Sequence, residues 1–408
     1  MATPAYNIIV FGATSFVGQI LTRYLLDRHG VSGGEVRWAI AGRSAAKLDQ
    51  VKDDLGAPDL PTLVADAADE SALQAMCEQT DVIISTVGPY ALYGEPLVKV
   101  CVDTGTDYCD LTGEVQWIRR MVDTYEDAAK ASGARIVHCC GFDSIPSDLG
   151  VHYTQQQAQD VFGAPAKRIR MRVRRIKGGA SGGTVASLMN VVKEAAADPA
   201  LRKELANPYS VAGKTQPTRQ PNVKLAERDP VAGSWLTPFV MAAINTRIVH
   251  RSNALAGYPW GEDFVYDEAV MTGDGGKGRL RATTAALGLG GFMVAAGLPP
   301  TRWLLEKVVP QPGEGPSPAE QEAGMYDIRF FAKGDDGTVL QTQVTGDRDP
   351  GYGSTAKMLG EAGACLALDI AKGDAAGGFW TPSTLLGDAL IERLTTHAGL
   401  TFERIAPA

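Results

Sequence analysis

Several things are missing from this sequence. It has no CxxC pair and no Cys/His spacing of the kind that holds zinc, so no metal site is read from it. Its six cysteines are scattered, apart from the neighbours Cys139 and Cys140. Nothing ahead of the strand that starts by Asn7 reads as a secretory leader. Free thiols in a reducing cytoplasm are therefore expected. Basic excess is absent as well. A net charge of -8 argues against general nucleic-acid binding, which needs a cationic footprint. There is no internal repeat and no low-complexity tract. What remains is ordinary globular composition, 45% hydrophobic and 21% charged, and 408 residues suggest two or three domains.

Charge disappears altogether from Ala282 to Thr301, between Arg281 and Arg302. The length approaches that of a membrane span. Glycines, two prolines and many alanines and threonines dilute its hydrophobicity, so a buried or lipid-facing helix of a globular domain is the expectation. Peripheral membrane or apolar-ligand contact is the alternative.

Up to about residue 145, strands alternate with helices. Strands are expected at 6–11, 35–41, 61–65, 81–86 and 134–138, and helices at 16–28, 44–55, 69–78, 94–103 and 114–131. That alternation predicts an α/β, Rossmann-type doubly wound parallel sheet. "DVIISTV" is apolar throughout, as a strand covered on both faces should be. After Gly150 the pattern changes. "RIRMRVRRI" alternates basic and apolar residues, and 207–222 is rich in proline and polar residues. "MYDIRFFAK" and "TVLQTQVTG" flank an Asp336-Gly337 turn. The expected division is a dinucleotide-binding domain over 1–149 and a second α+β domain over 150–346 with a largely antiparallel sheet. "PQPGEGPSP" at 310–318 reads as a linker inside that domain, and C-terminal helices over 347–408 pack back on the first domain.

"IIVFGATSFVGQILTRYLL" runs strand, glycine turn, helix. Unpaired N–H groups and the helix dipole at such a turn bind phosphate. Gly12 permits the turn and Gly18 the close approach of helix to strand, but Ser15 stands where the motif has its middle glycine. The Ser15 hydroxyl is a candidate donor to a phosphate oxygen, and Thr14, Phe16 and Val17 complete the turn. No carboxylate ends the second strand. "AGRS" puts Arg43 and Ser44 there, with Lys47 one helical turn on. A guanidinium fork suits a 2′-phosphate, so NADP is favoured over NAD. Asp66 is a candidate acceptor for the adenine amino group. The turn Thr86, Val87, Gly88, Pro89, Tyr90 is expected to pass beneath the nicotinamide ribose.

"GATSFVG", "AGRSAAKL", "STVGPYALYGEPLVKVCVDTGTDYCDLTGE" and "GFDSIPSDLG" together resemble the saccharopine dehydrogenase-like oxidoreductases. With "GDRDPGYGSTAKMLGEAGACLAL" and "GGFWTPSTLLGDALIERL", the chain is most similar to the actinobacterial branch called trans-acting enoyl reductases. The resemblance implies NADP as cofactor. It also implies reduction of a carbon–carbon double bond in a polyketide-derived lipid made by another enzyme. Two alternatives stay open: a non-catalytic NADP-binding accessory of a lipid-synthesis complex, and a saccharopine-type amino-acid dehydrogenase. Enoyl reduction needs a hydride from the cofactor and a proton from elsewhere. Tyr93, after the fourth strand, and Asp143 and Ser144, after the strand at 134–138, are the candidates for the catalytic side. His138, Cys139 and Cys140 read as core residues. Seven of the eleven residues from Lys167 to Lys177 are basic. With Arg170, Arg172 and Arg174 on one strand face, they read as a solvated face paired with acids, or as contact with an acyl carrier. A small-molecule or lipid-like substrate is expected; membrane contact and a homodimer are left open.

Overall fold

The computed structural model describes residues 4–179, 182–305, 307 and 315–406. Most of the linker expected at 310–318 lies outside the described residues. The first elements run β1 (Tyr6–Phe11), α1 (Phe16–His29), β2 (Trp38–Gly42), α2 (Ala45–Leu55), β3 (Thr62–Val64), α3 (Glu70–Cys77) and β4 (Thr80–Ser85). They continue with α4 (Tyr90–Tyr93), α5 (Glu95–Thr104), β5 (Asp107–Asp110), α6 (Val115–Ser132) and β6 (Arg135–Val137). The strand β5 escapes a reading by apolar runs, because "DYCD" is acidic at both ends. Each acid is buried and satisfied. Asp107 pairs with Arg135 at 2.5 Å, and Asp110 accepts from Tyr108 Oη at 3.0 Å and sits 2.7 Å from His138 Nδ1.

The chain goes on through α7 (Ile145–Phe162), β7 (Arg168–Lys177), α8 (Gly182–Ala197), α9 (Pro199–Ala206), β8 (Glu227–Asp229) and β9 (Ser234–Pro238). Then come α10 (Ala242–Leu255), β10 (Val265–Gly273), α11 (Gly275–Gly297), α12 (Pro299–Leu305), α13 (Pro318–Glu322), β11 (Met325–Lys333) and β12 (Val339–Gly346). It closes with α14 (Gly353–Leu368), β13 (Gly378–Trp380), α15 (Pro382–Leu385), α16 (Gly387–His397) and β14 (Leu400–Ile405).

One sheet has seven strands in the order β13-β6-β5-β4-β1-β2-β3, all parallel. The order reverses between β1 and β4, the place where doubly wound sheets take ligands at their carboxyl ends. Both faces are covered. Ile8, Val10, Val82 and Ile84 enter one core, and Ile9, Phe11 and Ile83 the other. The helix α14 lies close on the first face, where a side chain at Gly363 would collide with Ile84.

The second sheet runs β14-β12-β11-β7-β10-β9-β8 and is antiparallel except for β7 with β10. β11 and β12 form a hairpin whose turn uses Gly337 at φ +89°. The basic strand is β7, and its arginines are mostly spoken for. Arg172 is buried between Asp229 at 2.8 Å and Asp267 at 2.6 Å, and Arg174 meets Asp327 at 2.9 Å. The pairing with acids is as expected, but the face is only partly solvated, since Arg172 is buried. The residues after Gly346 contribute more than helices: β13 extends the first sheet and β14 edges the second.

Candidate active site

Gly12 adopts φ +92°, and a Cβ there would come within 2.7 Å of both Thr86 and Val87. A Cβ on Gly18 would collide with the Gly12 carbonyl. Both glycines are therefore fixed by close approach of α1 and the β4 turn. Ser15 is the N-cap of α1, its Oγ accepting from Gly18 N at 3.0 Å. That oxygen also lies 3.1 Å from Thr86 Oγ1, whose own proton goes to the Gly12 carbonyl at 2.9 Å. The Ser15 hydroxyl thus joins the β1 turn to the end of β4, a use the sequence did not indicate. The N–H groups of Phe16 and Val17, in the first turn of α1, have no helical partner. They are free to donate to an anion, and Thr14 precedes them.

At the end of β2, the Arg43 side chain is exposed and makes no hydrogen bond or ion pair among the described residues. Ser44 caps α2 by accepting from Lys47 N at 3.4 Å, and the Lys47 side chain is exposed beside it. Asp66, after β3, accepts from Ala68 N at 2.9 Å, so one of its oxygens is committed to its own turn.

A cavity of about 440 Å³ opens where β1, β4, β5 and β6 end. Ser15, Phe16, Val17, Thr86, Gly88, Pro89, Tyr90 and Asp143, all expected at the site, line it. The Tyr90 hydroxyl is not free: it donates to the Ser85 carbonyl at 2.9 Å, and its ring packs on Trp117. Glu114, which the sequence reading passed over, lies at the cavity wall. Its carboxylate accepts from Tyr90 N at 2.8 Å, Ala91 N at 3.0 Å and Ser187 Oγ at 3.0 Å, which ties α4 to α8. Burial pushes its pKa up even so. The signal was present, since Glu114 closes the "DLTGE" motif. The C-terminal "DPGYGST" motif supplies Tyr352, which packs edge-on against Phe16 at 4.7 Å and accepts from Gly182 N at 2.9 Å.

The loop after β6 carries strained backbone at both ends, with Cys139 at φ +64° and Ser144 at φ +99°. Asp110 anchors its start by accepting from Cys139 N at 3.2 Å. Within the loop, Asp143 faces the cavity over Gly113, where an added Cβ would stand 3.1 Å from Asp143 Oδ2. The Asp143 carboxyl makes no hydrogen bond among the described residues, and burial raises its pKa to about 7. Its neighbour Ser144 is fully buried and does not reach the cavity. Its hydroxyl donates to Asn245 Oδ1 at 3.0 Å, Asn245 Nδ2 donates to Glu268 Oε2 at 3.0 Å, and Tyr266 Oη donates to Glu268 Oε1 at 2.8 Å. Ser144 is therefore a positioning residue that fixes the loop, a correction to its expected contact with substrate.

Tyr93 also departs from expectation. It ends the single turn α4 with its side chain 51% exposed, away from the cavity. Tyr93→Phe is expected to leave turnover within about twofold of the parent, checked by steady-state NADPH oxidation. His138, Cys139 and Cys140 are buried in the core.

Away from the sheet the lining turns apolar. Ala186, Val191, Val192 and Ala195 of α8 face Leu205, Ile244 and Met293. No arginine or lysine lines the cavity among the described residues.

Residues 8–137 match the family model for the saccharopine dehydrogenase NADP binding domain. A putative trans-acting enoyl reductase of Mycobacterium tuberculosis is 41% identical, with 96% of each chain covered. A trans-acting enoyl reductase of Mycobacterium ulcerans is 38% identical, with 95% of each covered. Apo saccharopine dehydrogenase (L-Glu forming) of Saccharomyces cerevisiae shares the fold at a TM-score of 0.53 and 15% identity, covering 98% of this chain and 100% of that one. The glycine cradle and the free Arg43 fit the phosphorylated dinucleotide that the matched domain binds. Identity at this level along nearly the whole length places the chain among the saccharopine dehydrogenase-like NADP-dependent oxidoreductases, in the branch of the trans-acting enoyl reductases.

Proposed function

We propose that this protein reduces the carbon–carbon double bond of an unsaturated acyl or polyketide-derived lipid, using NADPH. The observation that carries this reading is the cavity: apolar along its α8 wall, with an unpaired carboxyl at the end where the parallel strands finish. An aliphatic chain gains free energy by leaving water for such a wall. An amino-dicarboxylate would need cationic partners there, and the lining has none among the described residues. That disfavours the saccharopine-type reaction. Space beside Asp143 disfavours the accessory reading. The family names of the relatives favour a substrate supplied by a separate synthase.

The residues would act as follows. Phe16 N and Val17 N hold the pyrophosphate, Arg43 and Lys47 the 2′-phosphate, and the turn from Thr86 to Tyr90 supports the nicotinamide ribose. Asp66 offers its remaining oxygen to the adenine. NADPH, when bound, supplies the hydride. Asp143, protonated in a large fraction at pH 7 and fully below it, gives the proton to the neighbouring carbon. Ser144, Asn245 and Glu268 keep its loop in place. Leu205, Met241 and the α8 face exclude water.

The direct test titrates the purified protein with NADPH and NADH by nicotinamide fluorescence, then follows NADPH oxidation with enoyl thioesters of graded chain length. Tight NADPH binding and turnover that improves with chain length are expected; binding without any turnover would favour the accessory reading. Filling the apolar wall by Ala195→Phe should lower kcat/KM for a long-chain substrate about tenfold while sparing a short one. Equal losses for both would remove that wall from the substrate site.

A further inference from the structure

The helix α11 has two unlike faces. At about 100° per residue, Gly278, Ala282, Ala286 and Ala296 gather on one side, and all four are buried. Met293, on that same side, lines the cavity. On the opposite side Leu280, Leu287 and Val294 are 66%, 64% and 65% exposed. The exposed Leu298 and, in α12, Trp303 and Leu304 continue this apolar surface. A bare stripe this long is unusual for a helix bathed only in water.

Beyond its N-cap Asp274, charge within the helix has one sign. Between Asp274 and Glu306 the only charged residues are Lys277, Arg279, Arg281 and Arg302. This lies within a chain of net charge -8. Beside the first turns of α11, Arg174, Arg175 and Arg281 share a groove with the backbone at Gly273. Arg174 is paired with Asp327, but Arg175 and Arg281 have no ion pair among the described residues. Apolar residues rimmed by unpaired cations complement a surface that is oily within and anionic outside.

We infer that α11 and α12 dock the protein on an anionic lipid bilayer. The helix α11 lies in the headgroup plane, its Leu280–Leu287–Val294 face enters the acyl region, and Arg175 and Arg281 meet lipid phosphates. The helix does not span, because its alanine face stays packed on the second sheet and on α8. One helix then separates bilayer from cavity: its outer side meets lipid and its inner side, at Met293, meets the substrate space. The docking does not depend on the proposed reaction, although that reaction gives it a purpose, since an apolar substrate would enter without crossing water.

The test uses the full chain and sedimentation with vesicles of equal parts phosphatidylglycerol and phosphatidylcholine, against vesicles of phosphatidylcholine alone. Binding to the anionic vesicles about tenfold or more above the neutral ones is expected, falling with added salt. The double variant Leu287→Glu, Val294→Glu should abolish it, and Arg175→Glu with Arg281→Glu should weaken it about tenfold. These side chains face solvent, and unchanged thermal melts and NADPH titrations of the variants confirm folding and an intact cofactor site. The inference is overturned if the parent stays in the supernatant with both vesicle types, or if the leucine–valine variant binds like the parent. It is overturned too if light scattering shows a dimer that this variant splits, which would make a second copy the occupant. Failure of NADPH binding in a parent that still sediments would count against the cofactor reading alone.

Discussion

Asp143→Asn is expected to cut kcat for NADPH-dependent reduction by about 10²- to 10⁴-fold, with NADPH affinity unchanged. The magnitude is that of a lost general acid, and the amide keeps the shape of the carboxyl but cannot release a proton usefully. The pH profile carries the same argument. With a pKa of about 7 the carboxyl is protonated below neutrality, so kcat/KM should be flat in acid and fall tenfold per unit above about pH 7. Asparagine should abolish that limb. Stability gives a second readout, independent of turnover. A carboxyl whose folded pKa lies above its unfolded value contributes stability in acid and loses it as pH rises between the two. The parent should therefore lose stability relative to Asp143→Asn between about pH 4 and pH 7, seen in paired thermal melts. A variant with near-parental turnover would remove Asp143 from the chemistry. Melts that stay parallel would show that its environment does not hold it neutral.

The cofactor side rests on Arg43. Arg43→Asp should weaken NADPH binding about 100-fold while changing NADH binding less than about threefold, measured by the same fluorescence titration. The asymmetry follows from geometry. The free guanidinium stands at the end of β2, where the proposed binding mode puts the ribose 2′ substituent, whereas the proposed pyrophosphate donors at Phe16 and Val17 would serve both cofactors alike. Equal losses for the two cofactors would mean that Arg43 acts on the fold of the β2–α2 turn rather than on the phosphate.

The parallel sheet was legible because its strands are apolar on both faces and its turns carry glycine. "DYCD" was not, because its burial depends on charges far along the chain. Lys372 as well as Arg135 satisfies Asp107, and neither contact leaves a trace in local periodicity. The cofactor turn was legible as a motif, but the use of the Ser15 hydroxyl was not. Its partner Thr86 is 71 residues away. That Asp143 lines the cavity could be expected from the loop after β6, whereas Ser144 beside it could not be told apart by sequence. A backbone at φ +99° turns one side chain into the core and leaves the other facing the cavity. Tyr93 shows the converse, a residue of suitable chemistry on a helical turn that points it away. The uncharged stretch was read as a buried or lipid-facing helix, and α11 has one buried and one exposed apolar side, a division that composition alone does not give.

The last strands of the chain bear on how it is made. Ribosomes release the first sheet's strands β1 to β6 early, but β13 joins that sheet's edge and β14 the other sheet's edge only after α14 has emerged. Until then the buried Arg135 lacks the carbonyls of Leu366, Ile370 and Ala371 that accept its protons in the finished protein. A nascent chain halted before Gly353 would have β6 and β12 as edges in place of β13 and β14, and an ion pair without its cover. Both edges are templates for pairing with another chain. The strand β13 thus binds a segment translated hundreds of codons earlier, and the cover of Arg135 waits for the end of α14 and the residues just after it.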